Sequence, residues 1–412
     1  MKVLFITVDG LTDPLGQSQI IPYLSELAVK GYQISILSCE KPERFVVNKK
    51  IIEDKLQSVG ILWAYTSYRS AIPFLSQRLN VFNLKQKAKK LHKEHHFDVI
   101  HCRSYIPALI GLNFKKAYHT GFIFDMRGFW ANERLDGGIW KLSNPVHKKA
   151  FDYFKKKELE FMRSADYIVS LTEAGKKEII SWESLSDCKL NIKVIPCCVD
   201  LGHFSFANTS KGQLDRIRKE LAISPKDFII SYLGSLGTWY MLEEMLHFFK
   251  RLLVTKPSAK FLFITPDNKD EILNKAIENG IDTNKLIIKS ASRNEVPLLL
   301  NLSSFSLYFI KPLYSKKASS PTKMAEILAC GLPFITNSGV GDSDEIIENT
   351  QTGILVKSFD DKAYDEAIQQ IEGFLAKEKV FYRDVAEQSF SLNKGVEVYS
   401  SIYSELKEKY SR

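Results

Sequence analysis

Short apolar runs rich in β-branched residues alternate along this chain with longer stretches whose apolar positions recur every three to four residues. The first set of runs covers residues 3–8, 34–38, 61–65, 98–101, 122–125, 167–171 and 192–195. Amphipathic stretches such as 18–30 and 81–93 lie between them. The pattern then restarts with runs at 228–233, 260–264, 285–288, 306–309, 334–336 and 354–356. Strand–helix alternation of this kind predicts parallel, doubly wound sheets. Two sets predict two Rossmann-like α/β domains, at 1–200 and 201–390, with the hinge near 196–208. A tail at 391–412 has helical period; it is expected to pack back on the first domain, although its period also suits the second.

Composition agrees with this picture. A chain of 412 residues exceeds one ordinary core, and 45% hydrophobic with 25% charged residues is a globular balance. The start runs directly into an apolar strand without the basic, cleavable layout of an export signal. No window has the roughly 18 uncharged apolar residues of a membrane span. A cytoplasmic protein, in contact at most with the inner face of a membrane, is the expectation. The six cysteines lack paired C-x-x-C spacing and read as reduced packing residues.

Charge adds an asymmetry. Residues 1–200 hold 30 Lys and Arg against 21 Asp and Glu, whereas the remainder balances at 27 and 27. Lys85, Lys87, Lys89 and Lys90 cluster on one predicted helix, and Lys148, Lys149 and Lys155 to Lys157 on another. Each cluster reads first as a solvated face, but the excess also suits anionic lipid or a phosphorylated acceptor. No recognisable nucleic-acid module accompanies it, so nucleic acid is not an expected partner.

Open parallel sheets bind ligands in loops at the carboxyl ends of their strands, and two such sheets would share a central cleft. The most informative segment there is 318–333, Ala-Ser-Ser-Pro-Thr-Lys-Met-Ala-Glu-Ile-Leu-Ala-Cys-Gly-Leu-Pro. Ser320 suits an N-cap and Pro321 a first helical position. Thr322 and Lys323 would then present first-turn amides and a cation to an anion. Glu326 lies four residues beyond Thr322, on the same face, where a carboxylate repels phosphate but accepts hydrogen bonds from vicinal ribose hydroxyls. The competing reading is a capped helix with a Lys323–Glu326 surface pair.

These residues resemble the retaining GT-B glycosyltransferases of family 4, which carry a Glu-x7-Glu motif, then Ala and a Gly-x-Pro stop. Glu326 matches the second glutamate, which the resemblance assigns to the donor ribose, and residues 321–323 match the pyrophosphate-binding turn. Ala318 stands at the first glutamate, so the segment resembles a Ser-x-Pro-x-Lys-x-x-Glu variant. Ile195-Pro-Cys-Cys-Val-Asp200 with Phe204 resembles the family's interdomain signature. The segment 9–18, Asp-Gly-Leu-Thr-Asp-Pro-Leu-Gly-Gln-Ser, takes the place of a Gly-containing turn facing donor phosphate and acceptor, which implicates Gly16 and Gln17; Asp13-Pro14 equally suits an ordinary turn.

The largest departure is at Leu233-Gly-Ser-Leu-Gly-Thr-Trp239. The family has an Arg and a Lys here to neutralise the leaving diphosphate; Ser235 and Tyr240 occupy those places. Gly234 amides and the Ser235 hydroxyl replace them only in part. Lys311, Lys323 and Arg127 are the candidates for the missing charge. Asp125 and Arg127, after the fifth run, occupy the loop where the family often has a His at the transferred sugar; a buried Asp–Arg pair is the competing reading. Arg293 opens a stretch resembling the one that frames the nucleobase, with Asp267 nearby by topology.

His92, His95 and His96 have no carboxylate or Cys in register for a metal. Asp342-Ser-Asp344 reads as an acidic loop. The resemblance then implies a metal- and cofactor-independent enzyme transferring hexose from a UDP-sugar, with retention, to a glycan or lipid-linked glycan for polysaccharide assembly. The rival readings are a non-hydrolysing UDP-sugar epimerase of the same architecture and a two-domain sugar-binding protein without catalysis.

Overall fold

Each of the thirteen apolar runs forms a strand, and all thirteen strands pair in parallel. The structure is a computed structural model and describes residues 1–70 and 75–411. The first sheet contains β1 (Lys2–Ile6), β2 (Gln33–Glu40), β3 (Leu62–Ser67), β4 (Val99–Arg103), β5 (Gly121–Asp125), β6 (Tyr167–Ser170) and β7 (Ile192–Val194). Its order is β3-β2-β1-β4-β5-β6-β7. The second contains β8 (Phe228–Leu233), β9 (Ala259–Ile264), β10 (Leu286–Lys289), β11 (Phe305–Leu307), β12 (Phe334–Asn337) and β13 (Gly353–Val356), ordered β10-β9-β8-β11-β12-β13. Helices cover both faces of such sheets, so the central strands β4 and β5 are buried at every position and show no alternation.

Each sheet reverses its strand order once, between β1 and β4 and between β8 and β11. Loops after these strands diverge and leave a crevice for a ligand at the carboxyl edge. The register there is fixed by paired apolar residues: Ile6 lies opposite Leu37 and Cys102, and Ile230 lies opposite Phe305.

The chain forms two compact units. One comprises Met1–Pro196, Lys317–Ser319 and Leu392–Arg412; the other comprises Cys197–Lys316 and Ser320–Ser391. In the first, the Leu392–Tyr410 helix buries Val396, Tyr399, Ile402, Tyr403 and Leu406, one residue per turn or so along one face. Tyr399 meets the Tyr23 ring edge-on at 5.8 Å, and the Tyr32 hydroxyl donates to the Ser400 carbonyl at 3.0 Å. Ala318, in the first unit's short peptide, is fully buried, and the Thr172 hydroxyl donates to the Lys317 carbonyl at 2.7 Å.

Two helix boundaries differ from the sequence expectation. Residues 18–30 belong to two helices, Pro14–Gln19 and Ile21–Val29, because Pro22 withholds an amide and the chain kinks at Ile20. The helix of the 318–333 segment spans Thr322–Ala329, with Pro321 at the cap position, so Ser320 is not its N-cap. The Ser320 hydroxyl instead accepts from the Cys197 amide at 3.1 Å. Among the described residues no helix is long and apolar enough to cross a membrane.

Candidate functional site

In the second unit the mouth of the Thr322–Ala329 helix gathers most of the predicted residues. Its first amides have no intrahelical acceptor, so the Thr322 end carries partial positive charge. Lys323 is not the surface residue of the competing reading. Its side chain is buried, and its ammonium has no hydrogen-bond partner among the described residues. Three phenol rings surround it instead, with centroids at 3.4 Å for Tyr240, 4.1 Å for Tyr232 and 5.6 Å for Tyr308. Ring faces attract a cation but do not replace water's hydrogen bonds. Burial therefore holds Lys323 well below the ordinary lysine range, against the opposing pull of Glu326 and Asp267.

Glu326, one turn on, is half-buried. Burial pushes its carboxyl up to about 7, and the nearby charges of Arg293 and Lys323 oppose that rise only in part. An acid and a base thus sit side by side, each in an environment that disfavours its charge. Such pairs mark places where a ligand's charge or hydroxyls complete the balance.

The loop after β8 forms the floor. Gly234 takes φ +101°, which L side chains avoid, and the Cβ it lacks would lie 3.7 Å from the Lys323 ammonium. Ser235 is exposed, and its carbonyl accepts from the Tyr232 hydroxyl at 2.8 Å, which fixes one wall of the tyrosine cage. Tyr240 is held by a bridge to Ile310 after β11, supported by the Met241 amide donating to the Phe309 carbonyl at 3.0 Å. Asp267, after β9, accepts from the Leu236 amide at 2.5 Å and so braces the loop after β8. Arg293 lies with its guanidinium 5.4 Å from the Phe204 ring centroid. Lys311 is exposed, with its amide donating to the Trp239 carbonyl at 3.0 Å. The fold thus brings Gly234, Asp267, Arg293, Thr322, Lys323 and Glu326 into one neighbourhood of the second unit.

The tyrosine cage went unread in the sequence. Tyr232 and Tyr308 are indistinguishable there from core strand residues, and Tyr240 reads as the loss of a cation rather than as a wall around another.

In the first unit the loop after β1 is clamped rather than open. Glu40, the last residue of β2, is buried. It accepts from the Leu11 amide at 2.7 Å, the Thr12 amide at 3.2 Å, and the hydroxyls of Thr12 and Ser38, both at 2.6 Å. Gly16 lies inside the Pro14–Gln19 helix, where a Cβ would stand 2.2 Å from the Gly10 carbonyl oxygen; its missing side chain serves close packing. The Gln17 side chain donates to the Thr12 carbonyl at 3.1 Å. Glu40 was missed because a carboxylate ending an apolar strand carries no spacing signature.

Asp125 departs from its expected place at the sugar. It is 1% exposed and accepts from the Tyr399 hydroxyl at 3.0 Å. Around it stand Arg127 and His101, both at 3.8 Å, and Arg103 at 3.9 Å. Burial would raise its carboxyl, but Arg127, His101 and Arg103 together hold it below the ordinary aspartate range. This is the buried structural pair of the competing reading, extended to the C-terminal helix. Arg127 adopts φ +56° next to Gly128 at φ +115°, a left-handed turn that keeps its guanidinium, 12% exposed, beside that carboxylate. Arg103 also bonds Asp9 at 3.0 Å, tying β4 to the loop after β1.

Among the described residues no cluster of three or more His, Cys, Asp and Glu has the geometry of a metal site. His92 accepts from the Phe97 amide at 3.2 Å, and Asp344 accepts from the Gly339 amide at 3.1 Å.

Residues 21–203 match the family Glycosyltransferase Family 4, and residues 214–374 match Glycosyl transferases group 1. No curated protein matches the chain in sequence. Among solved structures it is similar to a sucrose-phosphate synthase from Thermosynechococcus elongatus, at 13% identity over 99% of this chain and 100% of that one, with TM-score 0.74. It is similar to Anabaena HepE in complex with UDP-glucose, at 14% identity over 98% and 100% of the two chains, with TM-score 0.71. A putative UDP-N-acetylglucosamine 2-epimerase from Listeria monocytogenes is similar at 10% identity over 99% and 97%, with TM-score 0.59.

Proposed function

Since this chain is a glycosyltransferase with the GT-B fold, we propose that it takes its sugar from a UDP-hexose bound by the second unit, as a retaining family 4 enzyme. The observation that carries this reading is the buried, unpartnered Lys323 ammonium at a helix N-terminus. Diphosphate is the ligand that satisfies it: phosphoryl oxygens accept from Lys323 and from the first-turn amides together. Glu326 beside it takes the ribose hydroxyls, Arg293 borders the base, and Gly234 lets the backbone approach the phosphates. The variant motif is then self-consistent. Tyr240 stands where the resemblance expects a lysine, and Lys323 brings an ammonium 3.4 Å from that ring. Complexes of Anabaena HepE with UDP-glucose support the choice of nucleotide.

In the reaction, the bond from the anomeric carbon to the β-phosphate oxygen breaks and the acceptor hydroxyl adds from the same face. The departing phosphate takes the hydroxyl proton. Lys323 and the helix amides stabilise the negative charge left on UDP, and no metal is required for that task. The acceptor is a glycan or lipid-linked glycan.

Glu326→Ala is expected to weaken UDP binding at least tenfold by calorimetry, the loss of a charge-assisted hydrogen-bond pair of about 1.5–3 kcal/mol. Unchanged affinity would remove Glu326 from the site. Incubation with UDP-hexose alone separates the epimerase reading, since that enzyme would convert the donor without an acceptor.

A further inference from the structure

Lys323 is 6% exposed, and among the described residues no acceptor lies within hydrogen-bond distance of its side-chain nitrogen. The elements packed around it do not supply the missing anion. Tyr232 on β8, Tyr240 in the loop that follows and Tyr308 just beyond β11 turn ring faces toward it. Burial pushes all three phenols above the ordinary tyrosine range, so they stay protonated and neutral. Asp267 after β9 attracts Lys323 through space, but it accepts from the Leu236 amide. Glu326, one turn on along the same helix, is held at about 7 and feels Arg293 as well as Lys323. It therefore offers only part of a negative charge. On the Gly234 side no side chain closes the cage, since the absent Cβ would lie 3.7 Å from the Lys323 nitrogen.

An amine so placed lowers its free energy by giving up its proton, because the neutral form needs no counter-charge. A diphosphate reverses that preference: its oxygens accept from the ammonium and bring the negative charge that the cage lacks. We propose that donor binding draws a proton from solvent onto Lys323, whose amine is neutral in a fraction of the empty sites and is an ammonium whenever the diphosphate is bound. This coupling rests on the UDP-sugar reading. The proton returns to solvent when UDP leaves. Since the bound form carries the extra proton, donor affinity falls as pH rises.

The test is calorimetry of the full chain with UDP at about pH 8, in phosphate and in Tris, whose ionisation enthalpies differ. The terminal phosphate of UDP ionises near about 6, so at this pH it has no proton of its own to exchange. Uptake of about 0.5 proton or more per UDP is expected, with affinity falling about threefold or more per pH unit above that point. Glu326→Gln, measured at saturating UDP, should keep the uptake. Lys323→Arg should bind UDP without it, because a guanidinium is charged whether or not the site is filled. UDP binding with no proton taken up, or with proton release, overturns the proposal and leaves the donor site standing. Loss of uptake in Glu326→Gln assigns the proton to that carboxyl and also overturns it, as does parental uptake in Lys323→Arg. Where the bulkier guanidinium unfolds the cage, the parent and Glu326→Gln decide the matter. A parent chain that does not bind UDP at all strikes the donor reading itself.

Discussion

The carboxylate of Asp125 in the first unit and the ammonium of Lys323 in the second are both buried, yet their surroundings differ in kind. Asp125 has Tyr399 bonded to it and Arg103, Arg127 and His101 within 4 Å. Glu40, in the same unit, receives four donors. Lys323 has three ring faces and, among the described residues, no acceptor. A buried charge surrounded by partners has its free energy settled within the fold. One without partners keeps its desolvation cost until a ligand arrives. Burial alone therefore does not distinguish the two charges, and neither does a missing hydrogen bond, since Asp125 Oδ1 also lacks one; an opposite charge within 4 Å does, with Arg127 at 3.8 Å from that oxygen.

The largest effect should come from removing the centre of the charge-paired network. Asp125→Ala removes the carboxylate that Arg103, Arg127 and His101 surround and the acceptor of the buried Tyr399 hydroxyl, and should cost about 3–5 kcal/mol of stability, read from denaturant midpoints. If the variant is as stable as the parent, the contrast fails at its first term.

Lys323→Met should act oppositely on stability and on binding. It removes an unsatisfied buried cation at similar volume, so the ligand-free protein should gain about 1–3 kcal/mol, while UDP affinity falls at least tenfold. A variant that loses stability and keeps its UDP affinity would assign Lys323 to the structure instead.

Acid titration sharpens the same contrast. Glu326 is held at about 7 in the folded chain against an ordinary 4.5, so the folded state binds the extra proton between these values. Its contribution to stability is present below 4.5 and is lost as pH rises through about 7, worth roughly 1–3 kcal/mol for a half-buried group. Glu326→Gln should flatten that slope in pH-dependent melts. Asp125 runs the other way: its depressed value contributes stability at neutral pH that is lost as acid takes the carboxylate. The smallest expected effect is Ser320→Ala, about 1 kcal/mol for the lost acceptor to the Cys197 amide, with UDP affinity unchanged.

Much of this was legible in the residues. β1 to β13 follow from apolar runs bounded by turn residues, because a strand buried on both faces must be apolar throughout. The helix mouth near Thr322 could be read from Pro321 and the spacing to Glu326. Ser320 was misassigned because a serine before a proline fits a cap equally well whether its hydroxyl faces the helix or another loop. Asp125 was placed at the sugar because a polar residue after a strand carries no mark of which way it points. Glu40, Tyr232 and Tyr308 gave no signal at all, since each looks like an ordinary strand residue.

The sequence by itself determined the number of strands, their parallel pairing and the grouping into two sheets, because periodicity and turn chemistry are local properties of the chain. Tertiary structure alone decided which charges are partnered. It brought Tyr399 from the Leu392–Tyr410 helix to Asp125, 274 positions away, and closed three tyrosines from separate segments around Lys323. Partnership between distant side chains depends on how elements pack, and no spacing along the chain encodes it.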